Sequence, residues 1–217
     1  MQKNNKCISS VASLVDMTTL QCNLHTMKEI LSNYCVLCVV GWATGVAQLD
    51  NVVYVVQSAV IKIFNADTLS PLNNDIHVEG MTDPQDMVVC RTQRQLLIAD
   101  CPSFFVEPHC IWRVSVDQLQ NEKWMETEYR IRSLSVTSQR LLVTPHDPSC
   151  SLRLVSTTDA AQIGVVRLPE YMRGLHHAVE TTRGTCVVAH YGTSQDEWQW
   201  AVSRVVTCCV ALFISCE

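Results

Sequence analysis

Short apolar runs separated by polar turns repeat along most of this chain. The stretch 84–114, PQDMVVCRTQRQLLIADCPSFFVEPHCIWRV, shows the pattern best: runs at 87–90 and 96–99 flank a polar turn, and a third at 110–114 follows a loop. Short β-branched and aliphatic runs bounded by turn residues predict adjacent antiparallel strands. Runs at 52–57 and 60–64, 96–99 and 110–114, 141–144 and 152–155, and 186–189 and 201–205 make four such pairs. Aligning Tyr54, Leu97, Leu142 and Val187 gives spacings of 43, 45 and 45 residues. A further run precedes each pair, at 46–49, 87–90, 134–137 and 178–181, and weaker ones stand near 76–79, 125–129 and 164–168. Additional strands are expected at 8–15 and 36–40. Helical period occurs at 17–34, where Leu20, Leu24, Met27, Leu31 and Tyr34 recur at three- and four-residue steps behind a capping Asp16. The expected organisation is an irregular N-terminal segment 1–34 with that helix, strand repeats over 35–206 and an apolar tail 207–217.

Four short strands per period of about 40–50 residues is the pattern of β-propeller blades. A blade is a small twisted sheet that buries both faces, so it needs neighbours. The step from the second aligned run to the third varies: 7 residues from Tyr54 to Ile61, 14 from Leu97 to Ile111, 10 from Leu142 to Leu152 and 15 from Val187 to Val202. That connection therefore reads as a surface loop. The expected fold is all-β, an incomplete propeller of about four blades. An open arc leaves two apolar end faces, and self-association through them is expected.

Pro84 before a first strand, the element Leu97-Ile98-Ala99-Asp100, and Ile111-Trp112-Arg113-Val114 resemble the repeat of the NHL family of six-bladed propellers. In the later units Val143-Thr144-Pro145 and Val188-Ala189-His190 replace the Val-Ala-Asp element. The resemblance spans roughly 36–206. It implies a ring of six blades of which about four are present here. It also implies either a protein- or RNA-binding propeller, as in TRIM-NHL proteins, or an enzyme such as an amidating lyase or lactonase. Fold alone does not choose between them.

Composition narrows the classes. Apolar residues make up 47 % and charged ones 17 %, enough for a core, and the net charge of −5 argues against a strongly basic nucleic-acid binder. The longest apolar run, 208–214, is too short to span a membrane. Lys3 and Lys6 before a mildly apolar run resemble a signal peptide only faintly, because two serines interrupt it. Twelve cysteines without regular spacing suit buried thiols in a reducing compartment, and a cytoplasmic location is expected.

Candidate chemistry is sparse. Cys22 and His25 with Cys35 and Cys38 have zinc-like spacing and resemble half of a B-box, but 39–89 offers only His77 to complete it. Buried thiols are the simpler account. The positions expected just before the first strands hold Asp86, Ser133 and His177. They would line a channel mouth, where an acid and a histidine suit a metal and all three suit a polar rim. Adjacent His176 and His177 diverge on a strand. No G-x-S-x-G, P-loop or G-x-G-x-x-G motif is present. The variable loops carry Phe104, Phe105 and His109, then His146 and Asp147, then His190, Tyr191, Asp196 and Trp198. Aromatic residues on one loop face suit a partner surface, or they cover blade edges. Arg91, Arg94, Arg140 and Arg183 fall in the first-to-second-strand turns on the opposite face, as a ring for phosphate or acidic partners or as a merely solvated one. The expected function is a non-enzymatic interaction module binding a protein, or RNA, through the loop face by Asp86, Phe104, Phe105, His109, His146, His177, His190, Tyr191 and Trp198. No cofactor, metal or membrane is expected. The alternative is a propeller hydrolase or lyase using a channel metal.

Overall fold

The computed structural model of the chain describes residues 43–102, 108–137, 139–146, 151–181, 184–191 and 200–206. The helix expected at 17–34, the runs at 8–15 and 36–40, the zinc-like cysteines and the tail 207–217 lie outside them.

The described residues form fifteen strands in four antiparallel sheets, each in chain order. The first sheet holds β1 (Gly45–Leu49), β2 (Val52–Gln57), β3 (Val60–Asn65) and β4 (Pro71–His77). The second holds β5 (Pro84–Cys90), β6 (Gln95–Asp100), β7 (His109–Ser115) and β8 (Asn121–Thr127). The third holds β9 (Ile131–Val136), β10 (Arg140–Pro145), β11 (Ser151–Ser156) and β12 (Gln162–Arg167). The fourth has β13 (Arg173–Glu180), β14 (Thr185–Tyr191) and β15 (Trp200–Val206).

The second strand of a sheet is sandwiched between neighbouring sheets, so it reads as a continuous apolar run rather than an alternating one. In β6, QLLIAD, all five residues after Gln95 are buried. The fourth strands are at the solvent edge: β4, PLNNDIH, buries only Ile76. Their weak sequence signal follows from that exposure, since there is little apolar surface to specify them.

Sheets stack through their first strands, with β1 against β5, β5 against β9 and β9 against β13. Three apolar cores fill the intervals. Tyr54, Val56, Ile61 and Ile63 of the first sheet meet Met87, Leu96, Ile98 and Trp112 of the second. Val88, Leu97, Ala99 and Ile111 on its other face meet Ile131, Leu141 and Val143 of the third. Leu142 and Leu152 then meet Ala178, Cys186 and Val188 of the fourth. Each fully buried Leu or Ile contributes about 1.5–3 kcal/mol, so the interfaces hold the sheets together more than any surface ion pair does.

The chain repeats a turn as well as strands. Leu69, Leu119 and Ala160 each have positive φ, 52°, 54° and 60°, in the connection from third to fourth strand. The backbone closes the same way each time: Asn65 N–H donates to Ser70 O, Ser115 N–H to Gln120 O and Ser156 N–H to Ala161 O.

Candidate functional site

The strand pairings fix which residues are equivalent. Ala47 faces Tyr54, Val88 faces Leu97, Ser135 faces Leu142 and Val179 faces Val187. Two positions earlier on each first strand stand Gly45, Asp86, Ser133 and His177, and one before those stand Thr44, Gln85, Arg132 and His176.

The position of Gly45, Asp86, Ser133 and His177 is buried in all four sheets. Asp86 accepts from Met87 N–H at 2.9 Å and, across the interface, from Leu134 N–H at 2.8 Å, which ties β5 to β9. Burial nevertheless raises its carboxyl from 3.8 to about 7, because two backbone donors do not replace full hydration. At Gly45 the same strand-to-strand approach leaves no room for a side chain: a Cβ would stand 2.7 Å from Met87 N. Ser133 Oγ and both ring nitrogens of His177 are buried without a hydrogen-bond partner among the described residues. Burial lowers His177 from 6.5 to about 4, so its ring is neutral.

The preceding position opens outward. Thr44, Gln85, Arg132 and His176 converge, with Arg130 and His146, on a cavity of about 190 Å³. The cavity sits where the first strands begin and the second strands end, because Arg130 O accepts from His146 N–H at 2.7 Å. His176 is lowered to about 4, first by burial, then by Arg132, His177 and His146. His146 is lowered by burial and then by Arg132 and Arg130.

Several expectations change. Asp86, Ser133 and His177 lie inside first strands, not before them, because β5, β9 and β13 begin at Pro84, Ile131 and Arg173, earlier than their apolar runs. His109 and His190 are strand residues rather than loop residues, the backbone ladder extending past the apolar run. His109 opens β7 and is buried, and His190 is buried in β14 with Nε2 2.9 Å from Ser203 Oγ. Tyr191 ends β14. Among the described residues, His146 alone of the expected ones lines the cavity. Phe104, Phe105 and Trp198 lie outside the described residues, as do Asp147, Asp196 and Arg183. The turn arginines are engaged: Arg94 bridges Asp50 at 2.7 Å and Asp117 at 3.1 Å, Arg140 meets Glu180 at 3.0 Å, and Arg91 reaches Gln48 O at 3.5 Å. Sequence reasoning missed Thr44, Gln85, Arg130 and Arg132; the repeat alignment, extended one position, finds three of them.

Asp100, of the Leu-Ile-Ala-Asp element, is structural. It accepts from Thr82 N–H, Asp83 N–H and Trp112 Nε1–H. Cys101 similarly straps the second sheet to the third, its Sγ 3.2 Å from both the N and O of Ile131.

No family model and no curated protein matches the chain. Among solved structures it is similar to the crystal structure of the computationally designed Ika4 protein, with a TM-score of 0.53 and 9 % identity over 76 % of this chain and 92 % of that one. At that identity the likeness concerns the fold alone. Among the described residues no helix is long and apolar enough to cross a membrane.

Proposed function

We propose that the chain is a non-enzymatic interaction module, an arc of an NHL-like β-propeller, that holds a protein partner on the face where its first strands begin. One observation carries this reading: equivalent positions of four successive units, Thr44 just before β1 and Gln85, Arg132 and His176 on the next three first strands, line one cavity with His146 of a second-to-third-strand connection. Sites placed where repeated units converge are assembled from several segments at once, which suits recognition of a partner's projecting group. The opposite face is less apt, since Arg94 and Arg140 there are already paired with acids. The alternative, a channel-metal hydrolase or lyase, needs converging ligands, and among the described residues no three His, Cys, Asp or Glu side chains form such a group.

The reading extends to self-association. Val179, Val187 and Ala189 stand where Val88, Leu97 and Ala99 stand in the second sheet, yet they are only half-buried while those three are covered by the third sheet. Affinity capture with tagged chain, with an untagged copy of the chain added, tests both. Replacing Phe104, Phe105, Tyr191 and Trp198 with Ala should release partner proteins but not the second copy, whereas Arg91→Gln with Arg94→Gln should release neither. Partner loss in the arginine variant alone would reverse the assignment of faces, and stoichiometric calcium or zinc in the purified chain would favour the enzyme.

A further inference from the structure

We infer that the outward face of the fourth sheet is a dimerisation surface whose partner is the same face of a second copy, so that association stops at two. The inference rests on the self-association named above and adds which face is used, what covers it and where assembly ends.

Strand pairing defines the face. Val179 pairs with Val187 and His177 with Ala189, while Ala178, Cys186 and Val188 between them pack on the third sheet. Side chains alternate across a strand, so the first four share the face turned away from it. In the first two sheets the residues equivalent to Val179, Val187 and Ala189 are Ala47, Tyr54 and Val56, then Val88, Leu97 and Ala99. All six are buried against the next sheet. On the fourth sheet the three are only half-buried. The polar member of the face carries the same mark. Asp86, which is equivalent to His177, crosses to the next sheet and accepts from Leu134 N–H. His177 is 6 % exposed, and both its ring nitrogens are without a hydrogen-bond partner among the described residues. A neutral imidazole offers one donor and one acceptor, so a facing strand or a second His177 would satisfy it.

The other end of the stack decides the occupant. Val46, Val53 and Val55, on the outward face of the first sheet, are 7, 3 and 5 % exposed and form a core with Phe64, Ala66 and Leu69. That face is closed and cannot receive the fourth sheet of another copy, so head-to-tail addition into a filament is blocked. One open face per chain pairs with its own kind about a two-fold axis. Sheets pack face to face about 10 Å apart through apolar side chains, and valine and alanine present a low, even surface for that. Area sets the strength. Three strands about 4.8 Å apart and about seven residues long cover about 350 Å², below the roughly 800 Å² per partner of a stable complex. The dimer therefore exchanges, with a Kd of about 1–100 µM.

The test is sedimentation of the full chain over a concentration series at constant salt. A monomer–dimer equilibrium with no larger species is expected. Val187→Glu should weaken it at least about tenfold, since docking would bury an unpaired charge, while Leu72→Glu, on the exposed outer strand β4, should leave it unchanged. Should Val187→Glu not fold, carbene footprinting of the unaltered chain decides: labelling of Val179 and Val187 should fall with concentration, and labelling of Leu72 and Ile163 should not. A chain that stays monomeric to about 1 mM, an open-ended series of larger species, unchanged dimerisation in folded Val187→Glu, or labelling that ignores concentration would each overturn the inference. A monomer that still captures partner proteins would leave the interaction-module reading standing, and a dimer that captures none would leave this inference standing without it.

Discussion

At the scale of single residues, one strand position carries a glycine, an acid, a serine and a histidine in successive sheets, and each answers the same steric demand differently. Gly45 lets β1 approach β5, and Asp86 fills the equivalent space with an oxygen that reaches Leu134 N–H. The Asp86 carboxyl, at about 7 against an ordinary 3.8, holds its proton more tightly in the folded state. Its contribution to stability is fully present below about pH 3.8 and is lost as pH rises through 7. His176 and His177, at about 4 against 6.5, act oppositely: their contribution is present above pH 6.5 and is lost as pH falls through 4. Between those values two histidines outweigh one acid. The melting temperature should therefore rise with pH from about 4 to 6.5, and more steeply in Asp86→Asn, which keeps an acceptor for Leu134 but loses the titrating proton. Parallel pH profiles of the two proteins would show that folding does not raise the Asp86 carboxyl.

At the scale of elements, the strands and the first-to-second-strand turns were legible, and the third-to-fourth-strand turn was not. Runs such as 52–57 and 96–99 fall within observed strands because an inner strand must be apolar on both faces, and that demand shows in composition. The first strands were underestimated at their starts, since Gln85, Arg132 and Arg173 interrupt the apolar signal there. The third-to-fourth-strand turn escaped notice because its requirement is a left-handed backbone, met here by Leu69, Leu119 and Ala160 rather than by glycine. A non-glycine residue in that region costs roughly 1–2 kcal/mol. Leu119 is 52 % exposed, so its side chain contributes little to the core. Leu119→Gly should therefore stabilise the chain by about 0.5–1 kcal/mol, the relief exceeding the added flexibility of the unfolded state. A chemical denaturation midpoint that fell instead would mean that Leu119 packs better than its exposure implies.

At the scale of the molecule, four sheets in chain order were legible from the 43–45-residue spacing, because each unit repeats the same burial problem. The cavity was legible only in part. His146 was named from its loop, but Arg130 and Arg132 are ordinary strand-edge residues until the sheets are stacked and bring them beside His176. Convergence of units is a property of the stacked sheets, and a local pattern does not encode it.

The buried cysteines make the stacking observable in time. Cys110 lies in the core between the first and second sheets, Cys90 and Cys101 between the second and third, and Cys186 between the third and fourth. Burial pushes the thiols of Cys110, Cys101 and Cys186 up to about 12, 11 and 11, so none reacts as a thiolate while its interface is shut. Each interface thus contains its own chemical clock. Pulsed alkylation followed by peptide mapping should label Cys186 first, since Val179, Val187 and Ala189 on the far face of its sheet are only half-buried, and Cys101 last, since its thiol also bridges to Ile131. Simultaneous labelling of all three would mean that the stacked sheets open as one cooperative body, with no weaker joint among them.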